Sequence, residues 1–226
     1  MRSLSPRRFA RLALVACAAT LCLAPAASAA PAFRVPHEPA DMNDYLSMVI
    51  QDVDAYWTQV YAAADIGQPQ VRFMWTAPGQ SVPTGCTAGT DDETAYYCPK
   101  DDTIYLSQTF AGQQSQKRGD FGLAVVIAHE YAHNVQRELG VYRLRRSSSM
   151  PFELMADCMA GMWANWESQR GTLEAGDVEE AALEFYSLGD YAYGDRDHHG
   201  TPRQRKRAFL RGYTKGGCQR LLRTRR

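Results

Sequence analysis

Two histidines four residues apart, His129 and His133, stand inside an apolar run with helical periodicity and restrict the fold more than any other feature. This spacing places both imidazoles on one face of a helix, so both can reach a single Zn²⁺ at about 2.0–2.1 Å. Glu130 lies beside that face, too far round to be a ligand but within reach of a water at the metal. The segment has the HExxH pattern typical of zinc peptidases, in which the glutamate is the general base. The alternative is a chance match on a surface helix.

The first 29 residues predict a secretory signal peptide. Its positive amino-terminal region holds four arginines, Arg2, Arg7, Arg8 and Arg11. An apolar run from Leu12 to about Leu23 follows, and Ala27-Ser28-Ala29 is an A-x-A cleavage site. The run is too short for a typical membrane span. We therefore divide the chain into a signal peptide at 1–29 and one domain at 30–226, without a stable membrane span, and expect the product to be secreted or extracytoplasmic.

Two features leave the export route open. Leu14-Val15-Ala16-Cys17 resembles a lipoprotein box that would anchor the chain at Cys17, but only about five apolar residues precede it, against the 7–15 of an ordinary signal. Arg7-Arg8 fits a twin-arginine signal loosely.

The charge balance argues against a nucleic-acid partner. The whole chain has 25 Lys and Arg against 25 Asp and Glu, and residues 1–29 contain four of the arginines and no acidic residue. Residues 30–226 therefore carry a formal net charge of −4, from 21 basic and 25 acidic side chains. We interpret the basic carboxy-terminal residues as a solvated helix face and tail.

Four cysteines follow the signal peptide: Cys86, Cys98, Cys158 and Cys218. An even number in an exported chain predicts two disulfides, with three possible pairings. Cys86 and Cys98 flank a Gly/Thr/Asp-rich stretch between strand-like segments, which favours one stapled loop. Cys158 and Cys218 would then tie a central helix to the carboxy terminus. Zinc ligation by cysteine is a weaker alternative, because paired C-x-x-C spacing is missing.

The hydrophobic pattern predicts an α+β fold, with a small amino-terminal sheet and a helical, zincin-like active-site core. Asp120 is the expected N-cap of the HExxH helix. The expected helices span 41–64, 121–139, 150–170, 177–188 and 202–211, and the expected strands 71–75, 96–97 and 103–106.

A catalytic zinc requires a third protein ligand and keeps a further position for water. Metzincins place a histidine six residues after the second one, where this chain has Leu139, so that class is excluded. Glu138 is nine positions from His129 on the same helix, roughly 180° away, which counts against it.

Glu153 is the better candidate for the third ligand. It shares a helix face with Asp157 four residues on, and Asp157 can accept a hydrogen bond from a ligating imidazole. The alternative, a solvated carboxylate pair, is disfavoured because the neighbours Phe152, Leu154 and Met155 are apolar.

The combination of HEYAHNVQRELG with ELMADCMAGMWA resembles the neutral zinc metallopeptidases of bacteria, a gluzincin-type group. The resemblance extends to the segments around Cys86, 97–99, 104–106, 176–181, 199–201 and 211–213, and so covers most of residues 30–226. It implies one Zn²⁺ held by His129, His133 and Glu153, Glu130 as catalytic base, and a peptide or protein substrate. Around the second histidine, Tyr131 and Asn134 stand where smaller or more basic residues are expected. Because these positions are not ligands, this departure bears on substrate preference and not on the metal.

His199 is the candidate for stabilising the oxyanion. The segment 199–202 precedes a helix that carries Arg205, an arrangement that resembles the His…Arg element of related membrane-associated zinc endopeptidases. An exposed histidine in a capping loop is the alternative interpretation. The other candidates for this role are Tyr191, Tyr193 and His198.

These observations predict a secreted zinc-dependent peptidase that cleaves within peptide chains. A non-catalytic metal-binding or chaperone-like module on the same scaffold is one alternative, against which the intact Glu130 argues. A zinc amidase acting on cell-wall material is the other.

Overall fold

The computed structural model describes residues 39–143 and 148–222, so the predicted signal peptide and its Cys17 alternative lie outside the described residues. The fold is α+β, as predicted, with a small sheet beside a helical core. Its helices are α1 (Pro39–Ala64), α2 (Gln108–Glu138), α3 (Met150–Arg170), α4 (Asp177–Ser187) and α5 (Pro202–Lys215). The strands are β1 (Arg72–Thr76), β2 (Ala95–Cys98) and β3 (Thr103–Ser107).

The three strands form one mixed sheet in the order β1-β3-β2. The central strand β3 is buried throughout and pairs in parallel with β1, Phe73 lying opposite Ile104. β2 pairs with β3 antiparallel, with Tyr97 opposite Ile104. The predicted Cys86–Cys98 disulfide, with its Cα atoms 5.8 Å apart, ties the long β1–β2 loop to the end of β2.

Helix α2 begins earlier than its apolar pattern indicates. Ser107 is its N-cap and accepts hydrogen bonds from two backbone N–H groups, whereas the sequence predicted Asp120 in that role. The helix is interrupted at Gly119, whose φ of 78° and ψ of 172° are not helical. Asp120 directly follows this break, and its carboxylate accepts the Phe121 N–H at 3.0 Å. The prediction missed the first segment because residues 112–119 are mostly polar and give no apolar stripe.

The core forms around the second segment of α2, which is buried on every side from Asp120 to Gln136. Helix α1 packs its apolar face there, including the buried Tyr45, Val49 and Trp57. A helix that is buried all round has its side chains fixed by packing, which suits residues that must hold a precise geometry.

Helices α3 and α5 cross at very short range. A Cβ on Gly212 would lie 1.8 Å from the backbone oxygen of Cys158, so only glycine permits this approach. The Cys158–Cys218 disulfide, with Cα atoms 5.6 Å apart, joins α3 to the segment after α5 and confirms the second predicted pairing. The crossing fixes α3, which carries Glu153 and Asp157, against α5, which carries Arg205.

The ends of the later helices follow their sequence signals. Helix α3 ends before Gly171, and α5 begins at a capping box in which Thr201 and Gln204 exchange hydrogen bonds. Helix α5 continues one turn beyond the predicted end at Arg211. Within the described ranges, no helix combines the length and apolar character that a membrane crossing requires.

Candidate metal centre

His129, His133 and Glu153 converge on one point where α2 meets α3. The two histidine Nε2 atoms are 3.1 Å apart, and the Glu153 carboxylate oxygens lie 3.3 Å from His129 Nε2 and 3.4 Å from His133 Nε2. One donor atom from each residue lies within 4.8 Å of the other two. Two imidazole nitrogens and one carboxylate oxygen are a donor set that suits a catalytic zinc, so these residues fit the ion that the sequence predicts.

His129 is oriented by a buried carboxylate. Its Nδ1 lies 2.9 Å from Oδ1 of Asp157, which turns Nε2 toward Glu153. Asp157 in turn receives two hydrogen bonds from Arg205, from Nε at 2.9 Å and Nη2 at 2.6 Å. Asp157 and Arg205 are both buried, and a buried charge without an opposite charge beside it is costly. The two side chains therefore neutralise each other.

His133 is oriented by an amide and a phenol that the sequence interpretation did not assign to the site. Its Nδ1 lies 3.1 Å from Gln136 Oε1 and 2.9 Å from the Tyr142 hydroxyl. Gln136 Nε2 donates to the Phe152 carbonyl at 2.7 Å, which turns Oε1 toward the imidazole. The i, i+3 spacing from His133 could have identified Gln136. Tyr142 lies just after the end of α2, and no sequence motif identifies it as a site residue.

The charges around the three side chains favour a cation at their centre. Burial opposes charge on His129, but its hydrogen bonds to Asp157 and Glu153 outweigh burial and raise its pKa to about 10. The pKa of His133 is raised as well, because Glu153 outweighs burial. Burial also opposes ionisation of Glu153, yet the two histidines hold its pKa well below the usual range.

Glu130 is held next to these residues by the edge of the sheet. The backbone N–H of Tyr97, in β2, donates to Glu130 Oε2 at 2.8 Å. Glu130 and the three converging side chains open into one cavity of about 410 Å³. Residues of β2 and of the segment before it also line this cavity.

His199 lines the same cavity, with 53% of its side chain exposed. Asp190 holds it: one carboxylate oxygen accepts the His199 N–H at 2.9 Å and lies 3.5 Å from its Nδ1. The other oxygen contacts His198 Nδ1, which turns His198 into the protein. Tyr191 and Tyr193 are exposed and are not among the residues that line the cavity. Of the four candidates for the oxyanion donor, only His199 reaches the cavity.

Three other side chains on α2 point away from the candidate metal centre. Glu138, the competing third ligand, accepts hydrogen bonds from the Tyr61 hydroxyl and the Gln70 N–H, both at 2.9 Å. It is therefore not part of the converging group, as its angular position on the helix predicted.

Tyr131 and Asn134 are also structural. The Tyr131 hydroxyl donates to Asp54 at 2.6 Å, and Asn134 Nδ2 donates to the Gln70 carbonyl and to Asp102, each at 2.8 Å. Neither lines the cavity. Both side chains instead connect α2 to α1 and to the loops beside the sheet, and a bearing of these positions on substrate preference stays a prediction.

Comparisons with known proteins agree with this geometry. Residues 13–221 match a family described as "Putative neutral zinc metallopeptidase". The chain is 37% identical over 157 residues to the uncharacterized protein YpfJ of Escherichia coli (strain K12), covering 59% of this chain and 55% of that protein. It is 29% identical over 211 residues to the uncharacterized proteins Mb2605 of Mycobacterium bovis and Rv2575 of Mycobacterium tuberculosis, covering 78% of this chain and 70% of each relative. The matched region thus spans about half of the Escherichia coli relative. No solved structure matches the chain significantly.

Proposed function

Because the chain belongs to the family of neutral zinc metallopeptidases, we propose that it is a zinc-dependent peptidase that hydrolyses peptide bonds inside protein chains. The observation that carries this proposal is the convergence of His129, His133 and Glu153 beside Glu130 at the wall of an open cavity. The three converging residues are the ligands of one zinc ion in this account. Glu130 is the general base.

A zinc ion bound there supplies a Lewis acid that polarises a carbonyl oxygen and makes water nucleophilic near neutral pH. Glu130 takes the proton from the attacking water and passes it to the leaving amine. The Tyr97 N–H orients this carboxylate through Oε2, so the base is positioned before substrate arrives. Since Tyr97 belongs to β2, the strand that lines the cavity also aligns the base.

His199 is the proposed donor to the negative charge that develops on the carbonyl oxygen. Its place on the cavity wall and its contact with Asp190 support this role. Replacement of His199 by Ala should lower kcat by about 10²–10³-fold, the usual loss for one oxyanion donor. The zinc content should stay unchanged. Unaltered turnover in the His199→Ala enzyme would remove His199 from the mechanism.

Export of the protein is part of the proposal. The signal at 1–29, followed by one zinc metallopeptidase domain at 30–226, accounts for the two disulfides, which persist in oxidising compartments. The expected partners are peptides or proteins of that compartment.

The proposal is tested by removing and restoring the metal. Purified protein should cleave an unfolded general protein substrate, lose that activity on treatment with a zinc chelator, and regain it with one equivalent of Zn²⁺. Products with internal cleavage sites, read by mass spectrometry, support an endopeptidase. Zinc-loaded protein that cleaves no member of a broad peptide library would instead indicate a non-catalytic module. Cleavage of peptidoglycan fragments alone would indicate a cell-wall amidase.

A further inference from the structure

A second group of carboxylates lies at the break in α2. Asp120, Asp177 and Glu180 each place one oxygen within 4.8 Å of the other two. Asp120 starts the second segment of α2, and the other two residues come from the first turn of α4. Nine residues separate Asp120 from His129, which is about 14 Å along the helix axis. The acidic cluster is therefore separate from the candidate metal centre, although one helix connects them.

Two members of this acidic cluster are buried, Glu180 is partly buried, and the group is incompletely paired. Asp120 and Asp177 are only 8% and 4% exposed. Oδ2 of Asp120 and Oε2 of Glu180 are buried atoms without a hydrogen-bond partner in the described part of the chain, although the Phe121 backbone N–H interacts with the Glu180 carboxylate. A buried carboxylate oxygen without a donor is costly. These two oxygens lack the partner that buried acids normally have.

Both unpartnered oxygens belong to groups that meet at the helix break. A Cβ on Gly119 would lie 1.9 Å from Oε2 of Glu180, so this carboxylate rests directly on the residue before Asp120. Gly119 is at φ 78°, where glycine is favoured, and its missing side chain leaves the space that Glu180 occupies. The backbone thus brings the Glu180 and Asp120 carboxylates together from two helices.

Among the residues that the structure describes, no positive side chain forms an ion pair with the acidic cluster. The ion pairs of the described residues include none to Asp120, Asp177 or Glu180, and the nearby Arg118 pairs with Glu184 instead. Burial, followed by the neighbouring Asp120 and Glu174, raises the pKa of Asp177 to about 6. The helix dipole behind Phe121 offers about half a positive charge, which cannot neutralise three carboxylates.

We propose that Asp120, Asp177 and Glu180 bind a calcium ion that joins the start of the HExxH segment to α4. A donor set made only of oxygen selects a hard cation and not zinc, for which nitrogen and sulfur ligands are usual. Calcium takes six to eight oxygens in flexible geometry, so water completes its shell, whereas magnesium requires a smaller, near-octahedral site. The ion is structural: it stabilises the helix that carries the candidate metal centre and takes no part in hydrolysis.

The test uses the zinc-loaded mature chain, so that calcium cannot occupy the histidine site. Thermal unfolding is followed at pH 7.5 with increasing CaCl₂, with MgCl₂, and with NaCl at matched ionic strength. Dissociation constants of about 10⁻⁴–10⁻³ M are usual for extracellular calcium modules, so 10 mM CaCl₂ should raise the Tm by about 3–10 °C. Isothermal titration should give one calcium per chain.

The variant Asp177→Asn distinguishes calcium binding from carboxyl groups that merely share protons. Without calcium it should melt at or above the wild-type temperature, because one repelling charge is removed, and CaCl₂ should no longer raise its Tm. Glu179→Gln is the matched control: it removes one exposed charge from the same turn and should keep the full calcium response.

Several outcomes would overturn the proposal. These are a Tm of the wild type that does not respond to calcium, an equal response to MgCl₂ or NaCl, and an unchanged response in Asp177→Asn. If the variant does not fold, the stoichiometry of calcium on the wild type decides, and a titration without binding heat counts against the site. None of these outcomes depends on peptidase activity, so the calcium site and the proposed function can fail separately.

Discussion

Asp157 is the residue through which the candidate metal centre is connected to the rest of the protein. It contacts His129 Nδ1 on one side and accepts two hydrogen bonds from the Arg205 guanidinium on the other. All three groups are buried, so the geometry of the imidazole depends on packing as much as on the hydrogen bond. Partners of this kind typically contribute 10–100-fold to metal affinity.

Replacing Asp157 by Asn should therefore weaken zinc binding by about 10–100-fold. The amide still fits the space but cannot neutralise Arg205, so the Tm should fall as well. Competition with a chromogenic zinc chelator measures the affinity. Asp44→Asn, which removes an exposed charge on α1, is the control and should match the wild type. Wild-type zinc affinity in Asp157→Asn would show that the imidazole needs no such partner.

Glu184 gives the protein a pH-dependent stability that is separate from zinc. Its side chain is fully buried, and burial raises its pKa from 4.5 to about 7, although Arg118 and Arg205 oppose the shift. A carboxyl whose pKa is higher in the folded state stabilises the fold when protonated. That contribution is complete below pH 4.5 and is lost as the pH rises through about 7.

Replacing Glu184 by Gln should remove this loss. Between pH 4.5 and pH 8 the free energy of unfolding should fall less in the variant than in the wild type, by on the order of 3 kcal/mol. Urea unfolding at several pH values measures the difference. Parallel profiles for the two proteins would mean that Glu184 is ionised and well paired when folded.

Among the elements, the crossing of α3 and α5 allows the least change. Gly212→Ala would place a methyl group 1.8 Å from the Cys158 carbonyl oxygen, and that oxygen belongs to a helix backbone that cannot yield locally. We expect a loss of about 2–4 kcal/mol in the free energy of unfolding.

Gly112→Ala is the matched control for Gly212→Ala. Nothing lies within 4 Å of its added Cβ, and it is inside α2, where alanine should stabilise the helix by about 0.5–1 kcal/mol. Equal effects of the two substitutions, measured by chemical denaturation, would contradict the close crossing.

The helix boundaries show which features the sequence predicts and which it does not. The end of α3 and the start of α5 followed from Gly171 and from the Thr201–Gln204 capping pair, because these signals act over one turn. The first segment of α2 was missed, since its polar residues offer no stripe and its N-cap, Ser107, also ends a strand. Local sequence signals therefore predict the ends of helices well, but they fail to predict a helix whose residues are mostly polar.

For the whole molecule, the sequence predicted the members of the candidate metal centre but not how they are held. The spacing of His129, Glu130 and His133 requires only one helix, and Glu153 and Asp157 only a second. The contact of Asp157 with Arg205 joins positions 48 residues apart. It depends on how α3 and α5 cross, which no local pattern specifies.

The proposed mechanism requires Glu130 to act as the base beside a zinc ion bound by His129, His133 and Glu153. The most direct measurement determines zinc content and turnover of a protein substrate in the same samples of wild type and Glu130→Gln. We expect one zinc per chain in both, with turnover reduced by at least about 10²-fold in the variant, because general-base catalysis contributes about 10²–10⁴-fold. Equal turnover at equal zinc content would contradict it.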